Sequence, residues 1–288
     1  VSHPPAAPAT PHRTRIGHPR LHLRRTGSTN ERARELAFAG APHGTLVSAA
    51  EQTAGRGRQG RRWEAPAGSS LLVSLLLREV PSLLALIAAV AVCDVAGESI
   101  PASSPAGEGK AGTQALIKWP NDIVLASGDG LAKLAGILVE GRPQEGWAVL
   151  GIGLNVAVRL EQLPPALQAG TGEHGPVGSG QPSASAALPA ATLGLSPADV
   201  EPTLARLLDA LERRLAEPAE TTLEAWRARD ALRGREIAWG AVGADAPEQY
   251  GRAAGIDGSG RLVVALAGGG RTTIGAGEVH LRRIAARA

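Results

Sequence analysis

Apolar runs of four to nine residues alternate with Gly- and Pro-rich breaks along this chain, and their period changes from one run to the next. Residues 46–50 read as a strand, and so do residues 69–77. The second is apolar nearly throughout, as a strand covered on both faces would be. Between the N-terminus and the first strand, Ser28 and Glu31 form an S-x-x-E pattern that predicts a capped helix running on to Gly40. Pro81 opens a predicted helix over 82–97, with Leu83, Leu84, Ile87, Val90 and Ala91 on one face. Three more strands follow at 115–125, 133–140 and 147–157. Pro120 interrupts the first of them, with Asn121 and Asp122 suited to a turn, and residues 127–130 form another turn. Ser196 to Asp199 starts an amphipathic helix whose apolar face is Leu204, Leu207, Leu208, Leu211 and Leu215. A second helix spans 222–232 and carries Trp226. Short strands at 236–239, 249–256, 261–266 and 271–274 then alternate with Gly turns, the pattern of a small antiparallel β-barrel.

This order predicts an α+β fold in three parts. Residues 1–25 are a basic arm, rich in Pro, Ala, His and Arg and without an acidic residue, expected to be disordered. Residues 26–232 form the main domain, and residues 233–288 the small β-domain. Residues 101–113 and 161–194 are low-complexity insertions.

Composition narrows the class. The chain has 288 residues, 43% of them hydrophobic, enough for a real core. The net charge of +3 is a mild basic bias, compatible with a phosphate ligand and too weak to argue for nucleic acid. Five Trp, one Tyr and one Phe leave few rings for base stacking. The single cysteine, Cys93, lies in an apolar run and reads as a small buried hydrophobe; a reducing cytoplasm fits. The longest apolar run, 83–95, is broken by Asp94, so no membrane span is expected.

The chemistry concentrates in residues 51–63. Gly55, Gly57 and Gly60 alternate with Arg56, Arg58, Arg61 and Arg62, and Trp63 closes the stretch. Glycine lets backbone N–H groups approach a ligand, and arginine offers a planar fork of donors to phosphate or carboxylate. The spacing also fits G-x-G-x-x-G, but Pro66 and Gly68 exclude the helix that a dinucleotide turn requires. Lys118 lies between Ile117 and Trp119; pointing inward, it would need an anion. Gly151 and Gly153, with Asn155, fall on one face of a strand and would clear a floor for a ligand, and Gly136 would allow a close approach in the neighbouring strand.

Five blocks occur in order. They are Ser28-Thr29-Asn30; Gly55 to Arg61 with Trp63; Lys118-Trp119-Pro120-Asn121-Asp122; Lys133 to Glu140; and Gly153-Leu154-Asn155. Over residues 26–288 this pattern resembles that of biotin protein ligases. The resemblance implies a mixed sheet like that of class II aminoacyl-tRNA synthetases, followed by an SH3-like barrel. It implies ATP, Mg2+ and biotin as ligands, and a biotin carboxyl carrier domain as partner. By similarity Ser28, Thr29, Asn30 and Gln52 bind biotin, while Arg56, Gly57 and Arg58 fold over biotin and its adenylate. Lys118 meets the reacting carboxylate and the α-phosphate, with Arg58 as the second catalytic group. Trp63 packs on adenine, Asn155 holds the ATP phosphates and Mg2+, and Lys133, Gly136 and Gly153 support the floor. No general base for the acyl transfer is named, and Asp122 reads as a turn former. Too few residues precede the first block for a winged helix, so no specific DNA binding is expected; a monomer or homodimer is. The rival readings are a lipoate-type ligase, whose Gly-rich block is missing here, and a nucleic-acid-binding module built on the basic arm and the arginine loop.

Overall fold

In the computed structural model, residues 16–99, 114–127, 130–169, 188–240, 249–275 and 277–281 are described. The insertion 101–113, most of 161–194, the turn at 127–130 in part and the first fifteen residues of the arm lie outside them. The main sheet has seven strands: β1 (Arg20–Leu23), β2 (Leu46–Ala49), β3 (Ser70–Leu77), β4 (Leu116–Lys118), β5 (Asp122–Ser127), β6 (Gly130–Arg142) and β7 (Trp147–Asn155). Their order is β1-β2-β3-β7-β6-β5-β4; β1 and β2 run parallel and the other neighbours antiparallel. The end of the basic arm is therefore not disordered. Alternation at Arg20–Leu23 gives a strand that lies along β2, anchored by a bidentate Arg20–Glu201 pair.

Helix α1 (Thr29–Phe38) covers one face of the sheet, over Val47, Leu76, Trp147 and Val149. Helix α2 (Leu84–Ser99) covers the other. It has no polar stripe: Ala88 to Val92 are all buried, because the sheet lies on one side and α4 (Val200–Ala216) and α5 (Ala219–Arg227) on the other. The helix starts two residues later than the sequence suggests, since Pro81 instead closes a turn onto the Leu84 N–H. Cys93 on α2 is buried, and burial pushes its thiol up to about 12. A short helix α3 (Pro165–Ala169) precedes α4, and a 3-10 turn closed by a Ser196–Asp199 capping box leads into α4. All eight residues of β3 are buried, as its apolar run predicts.

The predicted capping box on α1 does not form. Ser28 is extended and makes no side-chain cap. The first helical N–H, that of Thr29, is taken instead by Gln52 Oε1 at 2.7 Å. Gln52 pairs with Thr26 just beyond β2, which brings its side chain to the start of the helix.

The C-terminal strands are β8 (Glu236–Gly240), β9 (Gln249–Ile256), β10 (Leu262–Ala265), β11 (Arg271–Ile274) and β12 (Glu278–Leu281). They form one antiparallel sheet in the order β11-β10-β9-β8-β12. Among the described residues no ladder joins β11 to β12, so the unit is described as a sheet and not as the expected closed barrel. Strand β12 escaped the sequence reading although Glu278-Val279-His280-Leu281 alternates polar and apolar residues, because four residues are a short run on which to judge a period. Its Val279 is fully buried, together with Ile237, Leu262 and Val264, in the same apolar cluster as α2 and the main sheet.

Candidate active site

The Gly–Arg stretch is a tight hairpin. Arg56 pairs with Arg62, the Trp63 N–H donates to Gly55 O at 3.0 Å, and the Gly57 N–H donates to Arg61 O at 2.7 Å. A Cβ at Gly55 would collide with the Trp63 carbonyl, so the hairpin closes only with glycine there. Gln59 and Gly60, both left-handed (φ 56° and 75°), make the tip.

This hairpin returns Trp63 to the face of the sheet that α1 also covers. A Cβ on Gly153 would stand 2.6 Å from the Trp63 ring, and one on Gly136 3.1 Å from it; on Gly151 it would strike the Asn30 carboxamide. The glycine floor expected to lie under a ligand thus lies under protein groups. Gly151, Gly153 and Asn155 are alternate residues of β7, about 7 Å apart in succession. They set Asn30, Trp63 and the Asn155 side chain in a row along one face.

At the first end of the row the polar groups form a chain. Gln52 Oε1 accepts from the Thr29 N–H and hydroxyl, and the Ser74 hydroxyl lies 2.8 Å from Thr29 Oγ1 and 2.6 Å from Asn30 Oδ1. Asn30 Nδ2 donates to Glu140 Oε2 at 2.9 Å. Thr29, Asn30 and Ser74 are buried, and so is Ser28 beside them. In the middle of the row, Lys133 Nζ lies 5.7 Å from the Trp63 ring centre and 2.7 Å from Asp122 Oδ1. Lys118 is buried and stands directly opposite Asp122 in the β4–β5 hairpin. Asp122 opens β5 and is not merely a turn residue. Burial alone would raise its pKa, but the charges of Lys133, Lys118 and Arg61 together outweigh that and hold it below its ordinary value. At the far end, Asn155 accepts from Ser70 at 3.3 Å and donates to Ala191 O at 2.9 Å.

The arginines spread outward from the hairpin. Arg56 Nη2 lies 3.5 Å from Glu140 Oε1, Arg58 Nη2 donates to Gly277 O of the C-terminal unit at 3.4 Å, and Arg62 donates to Thr53 O at 2.9 Å. Asn30, Trp63, Lys118, Gly136, Gly153 and Asn155 thus share one sheet face, whereas Arg58 reaches away to the C-terminal unit, and sequence reading missed Glu140 and Ser74. Ser74 had a signal, a hydroxyl in the middle of a strand buried on both faces. Glu140 had a weaker one, lying four residues beyond Gly136 and hence on the same face.

Comparison with known proteins bears on what such a row does. Residues 22–156 match the biotin/lipoate A/B protein ligase family, and residues 244–282 match the biotin protein ligase C-terminal domain. The biotin–[acetyl-CoA-carboxylase] ligase of Mycobacterium tuberculosis is 35% identical over 269 residues, 89% of this chain and 87% of that protein. The chain belongs to the biotin protein ligase family. Another relative in the family, the bifunctional ligase/repressor BirA of Bacillus spizizenii, is 41% identical over 149 residues; these are 49% of this chain and only 41% of that longer protein. A solved biotin protein ligase from Aquifex aeolicus, in complex with biotin and ATP, matches with a TM-score of 0.67. At 23% identity, over 92% of this chain and 99% of that one, the likeness establishes the biotin-ligase fold.

Proposed function

We propose that this chain activates biotin with ATP as biotinyl-5′-AMP and transfers the biotinyl group to a lysine of a biotin carboxyl carrier domain. The observation that carries the reading is the buried Lys118, two strands from the glycine-seated Trp63 that closes the arginine hairpin. A carboxylate acylates poorly, so it is first joined to AMP. Its oxygen attacks the α-phosphorus and pyrophosphate leaves. Both reactants are anions, and fixed cations must offset their repulsion and the charge that builds in the transition state. Lys118, Arg56 and Arg58 supply these cations. The carrier lysine then attacks the acyl carbon and AMP departs, while the hairpin, including Gly57, keeps water from the anhydride.

Ser28, Thr29, Asn30 and Gln52 hold biotin in this scheme; Gly136 and Gly153 seat Trp63, whose half-buried indole stacks on adenine. Asn155 steadies the phosphate end. Among the described residues no group of three or more His, Cys, Asp or Glu side chains converges as a metal cage. Mg2+ would enter with ATP and offset the charge of the phosphates that Asn155 helps to hold. No described helix is long and apolar enough to cross a membrane.

ATP–pyrophosphate exchange with biotin, with lipoate and with neither tests the reading. Exchange that depends on biotin is the expected result. Exchange with lipoate alone would change the substrate, and no exchange with either would remove adenylation from the proposal.

A further inference from the structure

One carboxylate near the row has no part in the scheme so far. Glu140 lies on β6, and its side chain is about one-fifth exposed. It reaches three groups on two elements, α1 and the hairpin. Oε2 accepts the Asn30 carboxamide at 2.9 Å, while Oε1 faces Arg56 of the hairpin at 3.5 Å and Arg34 of α1 at 3.7 Å. Asn30 in turn is held from its other side by Ser74 and wedged against Gly151. A single anion thus touches both the buried amide at the biotin end of the row and an arginine of the covering hairpin.

We propose that Glu140 is a positioning residue that holds Arg56 until a substrate anion takes it over, and that fixes Asn30 through its second oxygen. This rests on the biotin-ligase reading for the identity of the substrate, although the hold on the hairpin does not. The two oxygens have separable tasks. Asn30 needs only an acceptor, which a carboxamide also provides. Arg56 and Arg34 need a charge, which a carboxamide lacks. The Arg56 contact is half-exposed and long, so the hold is weak, as a latch that a substrate must open has to be.

Trypsin reads the latch directly, because the hairpin carries Arg58, Arg61 and Arg62 as cleavage points beside Arg56. In ligand-free protein, Glu140→Gln should speed cleavage after Arg58, Arg61 and Arg62 by about two- to threefold, the scale of an exposed ion pair. Arg56→Gln should do the same, and the double variant should exceed neither single one. Biotin affinity, measured by calorimetry, should stay within about twofold for Glu140→Gln and fall about tenfold for Glu140→Ala, which leaves the Asn30 amide without its acceptor. Cleavage of Glu140→Gln at the wild-type rate, or additive effects in the double variant, would overturn the latch. Equal loss of biotin affinity in the Gln and Ala variants would overturn the division of tasks. A wild-type protein that binds no biotin would sink the functional reading instead, and the cleavage rates would still decide the latch.

Discussion

At Asp122 one buried carboxylate meets Lys133 at 2.7 Å and the charges of Lys118 and Arg61. Its pKa is lowered on folding, so the unfolded chain binds its proton more readily. The stability it adds is present above its ordinary value of 3.8 and is lost as pH falls below that. Asp122→Asn should lower the melting temperature at neutral pH, and the gap to wild type should close as pH falls below the ordinary carboxylate value of 3.8; a gap independent of pH would show that the charge is not what matters. Lys118→Ala should slow biotin-dependent pyrophosphate exchange by about a hundredfold or more. Gly153→Ala would push a methyl group to 2.6 Å from the Trp63 ring. It should raise the KM for ATP by about tenfold while costing about 1–3 kcal/mol of stability, read by urea unfolding. Trp63 and Lys118 were legible in the sequence because a glycine–arginine stretch and a lysine among apolar neighbours are local signals, whereas Asn30 was marked only by the resemblance of its Ser-Thr-Asn block. Glu140 was not, since a strand-end glutamate looks the same whether it faces water or an arginine two elements away.

Among the elements, strands and helices were read well wherever a period carried them. β3 and α4 follow their patterns closely. What failed was decided by tertiary partners. Gln52 replaces Ser28 as the cap on α1, and β1 gains its order from pairing with β2. The hairpin over residues 55–63 was legible as a loop but not as a folded one, because its closure depends on backbone bonds between Gly55 and Trp63. Its role as a cover gives a prediction at this scale. Arg58→Gly removes the side chain that reaches Gly277, and biotinyl-AMP should then escape faster and label bystander lysines, as followed by blotting against added albumin. Retention equal to wild type would remove Arg58 from the cover.

For the molecule as a whole, the proposed boundary at 232/233 separates two sheets but not two cores. Trp119, next to Lys118, is buried and donates its indole N–H to Gly260 O in the β9–β10 turn at 3.1 Å. Gly260 itself packs against Leu86 and Leu83 near the start of α2. The sequence shows where strand spacing changes, which is why the boundary was visible; it does not show that Val279, Leu262 and Ile237 join the cluster of α2. Because that cluster is continuous, calorimetry should find one cooperative unfolding transition. Two resolved transitions would mean that the C-terminal unit stands alone.

Cys93 has a practical consequence. It is the chain's one sulfur atom, since there is no methionine, and burial leaves its thiol almost wholly protonated at neutral pH. A cysteine placed at exposed Ala54, at the foot of the hairpin, would be the one thiol that maleimide reaches. The wild-type background needs no prior removal of cysteines, so a single spectroscopic probe could follow the hairpin as substrates arrive. With no thioether to form a sulfoxide, the protein should also keep its fold through peroxide exposure that damages methionine-rich enzymes.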